Sequence, residues 1–280
     1  MSRPPLLRRH RLALAGAAAA LVVALGALAA ATLLGPSSAG TGAAAASAGG
    51  AYVALGDSYS SGVGAGGYLE ESGACVRSLR AYPYGLGRTV TSFRACGGAR
   101  TEDVLGRQLG TFPSDTQLVT ITIGGNDAGF ADVIQSCLLG SPRACSTRVG
   151  EAERFVRDEL TARLRRVYEA IRERAPKATV VVAGYPRLFA RRPWCSRVGA
   201  IDDREQRRLN EGANLLARTI AAEVEHHSGF RFVDVREAFE GGGVCSSAPR
   251  ILGVTSPRFS SFHPTARGQA TYARVIGRRL

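Results

Sequence analysis

The sequence is poor in several residue types, and each scarcity argues against a class of protein. Among 280 residues there is one methionine, one tryptophan and, at position 177, one lysine, so arginine supplies nearly all of the basic charge. No helical segment carries clustered arginines with aromatic residues between them, which argues against a nucleic-acid partner. The six cysteines and four histidines form no CxxC or HxxxH pair, so no metal site is expected. No organic cofactor is implied either.

Acidic residues are also few, and this shortage sets the charge of the protein. Twenty-three Asp and Glu residues stand against 36 Lys and Arg, which gives a formal net charge of +13. A protein of this charge is attracted to anionic surfaces. We therefore expect transient contact with a membrane or cell-wall surface.

The first 48 residues have the order of an export signal. Residues 1–11 contain four arginines and no acid, Leu12–Leu34 are uncharged and apolar, and an Ala/Gly/Ser-rich stretch follows. This order is typical of a secretory signal, with candidate cleavage sites at Ser37-Ser38-Ala39 and Ala46-Ser47-Ala48. The sequence therefore predicts a secreted protein.

Two alternatives for this segment stay open. Arg8-Arg9 is compatible with twin-arginine export as well as the general route. The apolar run is also long enough to remain as a membrane anchor.

In either case residues 49–280 form the mature part, which no linker, charge block or repeat divides. We expect one domain and a monomer.

The six cysteines predict three disulfides, because their number is even and the chain carries an export signal. Many pairings are possible, and the sequential one closes the smallest loops. We therefore prefer Cys75–Cys96, Cys137–Cys145 and Cys195–Cys245. Each bridge would contribute roughly 2–4 kcal/mol.

Five apolar or β-branched segments predict strands: Ala51–Leu55, Ser92–Cys96, Gln117–Ile123, Thr179–Ala183 and Phe230–Val235. Between them, helices are predicted over Pro83–Val90, from an N-cap at Thr101, and over Asp127–Cys137, Glu151–Arg174, Asp202–His227 and Thr265–Arg279. This alternation predicts an α/β fold, a three-layer αβα sandwich around a mostly parallel five-stranded sheet.

Three turns should meet at one edge of that sheet. Ser58 follows the first strand, Gly97-Gly98 the second, and Gly124–Asp127 the third. Ligands of such sheets bind beyond the carboxyl ends of the strands. The sequence therefore predicts a site where these three turns converge.

Four ordered motifs in these turns and near the C-terminus resemble one enzyme family. They are Gly56-Asp57-Ser58-Tyr59-Ser60-Ser61-Gly62, Gly98 after Gly97, Ile123-Gly124-Gly125-Asn126-Asp127, and Phe262-His263-Pro264-Thr265. In this order they resemble the blocks of the SGNH, or GDSL, hydrolases. The cysteine layout and long loops are similar to the secreted actinobacterial esterase, lipase and phospholipase branch. The resemblance implies a flavodoxin-like fold.

The resemblance also assigns roles that the chemistry supports. Ser58 would be the nucleophile and His263, with an ordinary pKa of about 6.5, its general base. The oxyanion would be held by the main-chain N–H groups of Ser58 and Gly98 and by the side-chain amide of Asn126. Simpler readings exist, in which Ser58, Asn126 and His263 only cap or start turns and helices. Asp57 is interpreted as structural.

Two positions depart from the family pattern. Many relatives carry Asp three residues before the histidine, where this chain has Ser260. We infer that the main-chain carbonyl of Ser260 orients His263, while an acid elsewhere, such as Asp202 or Asp234, is the alternative. Gly97 stands where serine is common, which leaves the choice between Gly97 and Gly98 as oxyanion donor open.

The loops at 137–145, 184–200 and 241–261 are expected to wall the pocket. Apolar residues that could meet an acyl chain there, or only pack within the loops, are Tyr185, Leu188, Phe189 and Trp194. Arg191 and Arg192 are compatible with a phosphate contact, although a solvated basic turn is the simpler interpretation.

The function predicted is hydrolysis of carboxylic esters, lipid or phospholipid acyl esters in particular, through an acyl-enzyme. Two alternatives stay open: a carbohydrate acetyl esterase, and a non-catalytic surface-binding protein on the same scaffold.

Overall fold

The computed structural model describes residues 50–190 and 198–280, which are built around one parallel sheet. Its strands are β1 (Ala51–Ala54), β2 (Ser92–Phe93), β3 (Thr116–Ile121), β4 (Thr179–Ala183) and β5 (Phe230–Val233). Their order is β2-β1-β3-β4-β5, and every neighbouring pair is parallel. The predicted α/β fold is confirmed.

The central strands are buried on both faces, which explains their continuous apolar runs. Val53 of β1 lies opposite Val119 of β3, which in turn lies opposite Val180 of β4. All three side chains are fully buried. β-Branched residues suit this position because their stiff side chains pack well on a pleated surface.

Helices connect the strands: α1 (Ser58–Ser61), α2 (Thr101–Asp103), α3 (Phe130–Leu139), α4 (Pro142–Asp158), α5 (Leu160–Arg174), α6 (Asp203–Val224) and α7 (Ala266–Gly277). Short 3-10 helices cover Glu70–Cys75, Tyr82–Leu86 and Arg258–Ser260, and a π-helical turn covers Val104–Gln108. One layer joins α7 to the turn at 82–86, and the other joins α2, α5 and α6. None of the described helices combines the length and apolarity needed to cross a bilayer.

The predicted helix Glu151–Arg174 is wrong in its extent. The structure has two helices there, α4 and α5, with a break at Glu159, where φ is −122° and ψ is −34°. The start of α4 lies within the segment predicted as a loop. Ser141 caps that start through the Ala144 N–H, and Pro142 takes the first helical position. A serine followed by proline is a known helix-start signal that the prediction missed.

Other boundaries also differ from prediction. The segment predicted as helix Pro83–Val90 is a 3-10 helix that stops at Gly87, a residue with φ of +68°. The second strand is only Ser92–Phe93. Thr101 is the first residue of α2 and not its cap. Its N–H is instead satisfied by the carboxylate of Asp127, a long-range contact that local sequence does not reveal.

The structure contains disulfides between Cys75 and Cys96 and between Cys137 and Cys145, two of the predicted pairs. The third predicted pair involves Cys195, which lies outside the described residues. The expected leader at residues 1–48 lies outside them as well.

The strand order determines where the predicted site residues lie. In a 2-1-3-4-5 sheet, the chain leaves β1 and β3 in opposite directions, and the crevice between their carboxyl ends is the usual ligand site. Ser58 follows β1 and Asn126 follows β3. The topology therefore brings these two residues to the same crevice.

Candidate active site

A sharp turn after β1 presents Ser58. Gly56 has φ of +118°, and a Cβ there would lie 2.4 Å from the carbonyl oxygen of Thr122, so only glycine fits. The buried side chain of Gln108 holds this turn. Its Oε1 accepts from the Gly56 N–H at 2.7 Å, and its Nε2 donates to the Gly56 carbonyl at 2.9 Å. Ser58 is therefore fixed at the first position of α1.

Asp57 caps the helix that begins with Ser58. Its Oδ1 accepts from the Tyr59 N–H at 2.9 Å, and its Oδ2 accepts from the hydroxyl of Tyr185. Burial raises the pKa of Asp57 to about 7, against the lowering effect of the Tyr185 hydrogen bond. The carboxyl makes no hydrogen bond to His263 among the described contacts. This geometry agrees with a structural role for Asp57.

His263 lies against Ser58 although the two residues are far apart in sequence. Its Nε2 is 2.8 Å from the Ser58 Oγ. The segment before it is attached to the nucleophile turn, because the Tyr59 hydroxyl donates to the Phe262 carbonyl at 2.9 Å. Phe262 has a positive φ of +60°, a rare conformation for a bulky residue. This bend turns the imidazole of His263 toward Ser58.

The orienting carbonyl was predicted one residue too early. Nδ1 of His263 is 3.0 Å from the carbonyl oxygen of Ser261, whereas the Ser260 carbonyl accepts the main-chain N–H of His263 at 3.3 Å. Ser261 is extended, with φ of −61° and ψ of 139°, after the 3-10 turn at 258–260. This change of direction aims the Ser261 carbonyl at the ring. Because a carbonyl only accepts, Nδ1 carries the proton and Nε2 is free to accept from Ser58.

The alternative acids are engaged elsewhere. Asp202 caps α6 by accepting from the Glu205 N–H at 2.8 Å. Asp234 pairs with Arg236 at 2.6 Å.

Burial lowers the pKa of His263 from its ordinary 6.5 to about 4, although the carbonyls of Ser261 and Ser260 raise it. The rings of Tyr59 and Phe130 contribute to this burial, with centroids 5.4 and 6.4 Å from the imidazole.

Ser58, Gly98 and Asn126 line the same cavity and each carries a hydrogen-bond donor. In the described part of the chain, the main-chain N–H groups of Ser58 and Gly98 have no acceptor, whereas the Gly97 N–H donates to the Cys75 carbonyl at 2.9 Å. Nδ2 of Asn126 donates to the Ala99 carbonyl at 3.0 Å, which leaves its second hydrogen available. Gly98 has φ of +77°. These three donors correspond to the predicted set, and Gly98 rather than Gly97 is the available glycine.

A narrow apolar channel of about 110 Å³ begins at Ser58 and Asn126 and runs between α4 and α6. Small and aliphatic side chains form its walls: Val149, Ala152 and Val156 on α4, and Leu209, Gly212, Ala213 and Leu216 on α6. Among the described wall residues, the ionic ones are Asp57 and Glu153, and the Arg208 guanidinium lies 2.8 Å from the Glu153 carboxylate. The described lining of this channel is therefore largely apolar.

A wider cleft of about 780 Å³ lies on the other side of Ser58. Its inner part is lined by Val63, Gly98, Phe130, Ile134 and His263. The three loops expected to wall the pocket all contribute residues to one of the two cavities. No cluster of three or more His, Cys, Asp or Glu side chains able to hold a metal occurs within residues 50–190 and 198–280.

Comparison with known families matches residues 54–271 to the GDSL-like lipase/acylhydrolase family. The chain belongs to this family. A lipase of Streptomyces rimosus is 47% identical over 223 residues, which cover 78% of this chain and 82% of that protein. Lipase 1 of Streptomyces coelicolor is 43% identical over 269 residues, 94% of this chain and 96% of that protein.

Solved structures agree with the GDSL-like assignment. The extracellular lipase of Streptomyces rimosus has a TM-score of 0.77 at 44% identity and covers 82% of this chain and 100% of its own. Phospholipase A1 of Streptomyces albidoflavus has a TM-score of 0.78 at 43% identity, with 83% and 100% covered. As a member of the GDSL-like family, this protein is a carboxylic ester hydrolase.

Two residues that support the GDSL-like site by hydrogen bonds lie outside the four motifs. Gln108 supports Gly56, as described above. Gln269 on α7 donates to the Tyr59 carbonyl at 3.0 Å and accepts from the Tyr82 N–H at 2.9 Å. Both glutamines are buried. A polar side chain on the apolar face of a helix is the signal that could have identified Gln269.

The residues predicted to contact an acyl chain, and the two arginines considered for a phosphate, have different outcomes. Tyr185 and Leu188 line the narrow channel, but the Tyr185 hydroxyl also accepts from the Gly125 N–H at 3.0 Å and donates to Asp57. Phe189 is instead buried against Phe262, with ring centroids 6.0 Å apart. Trp194, Arg191 and Arg192 lie outside the described residues.

Proposed function

We propose that the protein is a secreted lipase or phospholipase that hydrolyses acyl esters through an acyl-enzyme on Ser58. The observation that supports this most directly is the 2.8 Å contact between Ser58 Oγ and His263 Nε2, beside free main-chain donors and at the mouth of an apolar channel. A nucleophile, a base and a donor cluster at one point are the requirements of acyl transfer.

In the proposed reaction, Ser58 Oγ attacks the ester carbonyl as Nε2 of His263 takes its proton. The carbonyl oxygen becomes an oxyanion, which the N–H groups of Ser58 and Gly98 and the Asn126 amide stabilise. The imidazolium keeps its Nδ1–H bond to the Ser261 carbonyl. Nε2 then gives its proton to the departing alcohol oxygen. Water attacks the acyl-enzyme by the same route, with Nε2 as base, and releases the carboxylic acid.

Lipid esters are the proposed substrates because of the two cavities at Ser58. The apolar channel between α4 and α6 suits the acyl chain, and the inner part of the wide cleft suits the alcohol portion. Two similar proteins are described as a lipase and a phospholipase A1. An enzyme specific for acetyl groups on a carbohydrate would gain nothing from a channel lined by aliphatic side chains.

Secretion is proposed on three grounds. Residues 1–48 have the composition of an export signal, and the similar Streptomyces rimosus protein is described as extracellular. The cysteine bridges also suit an oxidising compartment.

The catalytic assignment is tested by Ser58→Ala and His263→Ala. Each should lower kcat for a short chromogenic ester by about 10⁴-fold or more, with the circular dichroism spectrum unchanged. Ser228→Ala and His226→Ala remove the same functional groups from exposed positions and should keep full activity. Wild-type rates in either site variant would show that the nucleophile or the base is misassigned.

The substrate class is tested by esters of graded acyl length and by intact phospholipid. The channel predicts that kcat/KM rises from acetate to longer chains. Activity confined to acetate would contradict the lipid assignment and favour a carbohydrate acetyl esterase.

A further inference from the structure

Exposed apolar side chains are concentrated at the mouth of the wide cleft. In residues 50–190 and 198–280, seven large hydrophobic side chains are exposed. Three of these seven, Leu139, Val254 and Phe259, line the cleft that contains Ser58. A fourth, Tyr68, lies beside it, with its ring centroid 6.3 Å from that of Phe259. We name these four residues the apolar rim.

The two most exposed members both line the cleft and come from segments far apart in the chain. Leu139 ends α3 and is 72% exposed, and Phe259 lies in the 3-10 turn at 258–260 and is 51% exposed. The Cys137–Cys145 disulfide holds the segment after Leu139. Neither side chain fills a core position, so internal packing does not explain why both are apolar. Contiguous exposed apolar surface around a site marks a place of contact with another molecule or a membrane.

Among the described residues that line the cleft, the ionic side chain is Arg258, and its charge favours a phosphate-bearing partner. Arg258 stands between Val254 and Phe259 in sequence, lines the same cleft and is exposed. No carboxylate pairs with it in the described part of the chain, and none of the described residues lining the cleft is Asp or Glu. Arginine recognises phosphate through its planar set of donors. Aliphatic and aromatic side chains beside an unpaired arginine are the composition of a membrane-interface surface.

We propose that the apolar rim docks the protein on an anionic phospholipid surface. Leu139 and Phe259 enter the acyl-chain region, Arg258 binds headgroup phosphate, and the cleft opens toward the lipid. This inference rests on the proposed lipid-ester function. It adds that substrate reaches Ser58 directly from the bilayer, so the surface that collects substrate is separate from the groups that cleave it.

The test measures vesicle binding and soluble-ester hydrolysis separately. Binding is measured by flotation with phosphatidylglycerol or phosphatidylcholine vesicles, in a Ser58→Ala background so that the lipid is not consumed. Leu139→Ser and Phe259→Ser should each weaken binding about tenfold. Arg258→Ser should weaken binding to phosphatidylglycerol about fivefold, with little effect on phosphatidylcholine. Leu280→Ser is the matched control. Leu280 is also exposed, but it follows α7 at the end of the sheet opposite Ser58.

With Ser58 intact, the rim variants should hydrolyse p-nitrophenyl acetate within about twofold of wild type, because this small ester does not reach the rim. Rim variants that float as well as the Leu280 variant would overturn the docking proposal and leave the ester hydrolase intact. The docking proposal would also be overturned if the wild-type protein bound neither kind of vesicle. It would be overturned equally if the rim mediated dimerisation, seen as a molecular mass that depends on protein concentration. A wild-type protein that does not hydrolyse p-nitrophenyl acetate would instead contradict the proposed function.

Discussion

Nδ1 of His263 donates to the main-chain carbonyl oxygen of Ser261 at a distance of 3.0 Å. A peptide carbonyl is a dipole without a net charge, so it fixes the tautomer of the imidazole but stabilises the imidazolium less than a carboxylate would. Burial therefore dominates the electrostatics of His263 and favours its neutral form. The neutral imidazole is the form that can act as a base.

The pH dependence of kcat/KM should reflect this environment. In the proposed reaction His263 acts as a base when it is neutral, and burial lowers its pKa to about 4. Activity on a soluble ester should therefore persist below the ordinary histidine pKa of 6.5 and fall as the pH drops through about 4. A pH–rate profile checks this, and NMR titration of the imidazole in Ser58→Ala protein assigns it directly. Ser260→Ala and Asp202→Asn should keep the inflection, because both retain the Ser261 carbonyl. A histidine pKa above 6.5 would indicate a carboxylate partner.

Replacing Asn126 tests the side-chain oxyanion donor. Asn126→Ala should lower kcat about 100- to 1,000-fold with a smaller effect on KM, because the donor acts mainly on the developing oxyanion. The variant also loses the hydrogen bond to Ala99, for which we expect roughly 1 kcal/mol less stability. Steady-state kinetics and urea unfolding separate the two effects. A kcat loss below about tenfold would mean that the two main-chain amides suffice.

The Tyr185 hydroxyl links the two halves of the site. It donates to Asp57, which precedes the nucleophile, and accepts from the N–H of Gly125, which precedes Asn126. Tyr185→Phe should reduce the free energy of unfolding by roughly 1–3 kcal/mol, because a buried N–H and a carboxyl both lose a partner. It should also raise the pKa of Asp57 further and lower kcat about 10- to 100-fold through misplacement of Ser58 and Asn126.

Tyr168→Phe is the matched control for that experiment. The Tyr168 hydroxyl is buried and has no hydrogen-bond partner in the described part of the chain. Its removal should leave both stability and kcat unchanged or improve stability slightly. Equal losses in the two variants, measured by urea unfolding and kinetics, would show that the Tyr185 hydroxyl has no specific linking role.

Gly212 should control acyl-chain length. It lies on α6 at the channel wall, and a Cβ placed there meets no atom within 4 Å. Gly212→Leu should fill the channel and lower kcat/KM for long-chain esters about 10- to 100-fold, with acetate hydrolysis retained. Gly150→Leu on α4 makes the same helix substitution away from the channel and should leave chain preference unchanged. A Gly212 variant with the wild-type chain profile would show that acyl chains bind elsewhere.

Prediction of the fold from the sequence was correct where the residue pattern was local or repeated. Five β-branched or apolar segments separated by helices led to the parallel sheet, because strands buried on both faces must be apolar throughout. It failed at the α4–α5 break, because both helices are amphipathic and nothing in the periodicity marks Glu159. It also failed at Thr101, whose amide is satisfied by Asp127 from another turn.

The order of the four motifs and their resemblance to the SGNH hydrolases led to the prediction of Ser58, Gly98, Asn126 and His263 as site residues, and the parallel strands bring the first three to one edge of the sheet. Chain order could not show that Ser261 rather than Ser260 meets the imidazole, that Tyr185 bridges Asp57 and Gly125, or that α4 and α6 leave a channel between them. Each of these depends on backbone direction and on packing between segments far apart in the chain. Distances of a few ångströms between such segments arise only when the whole domain has folded.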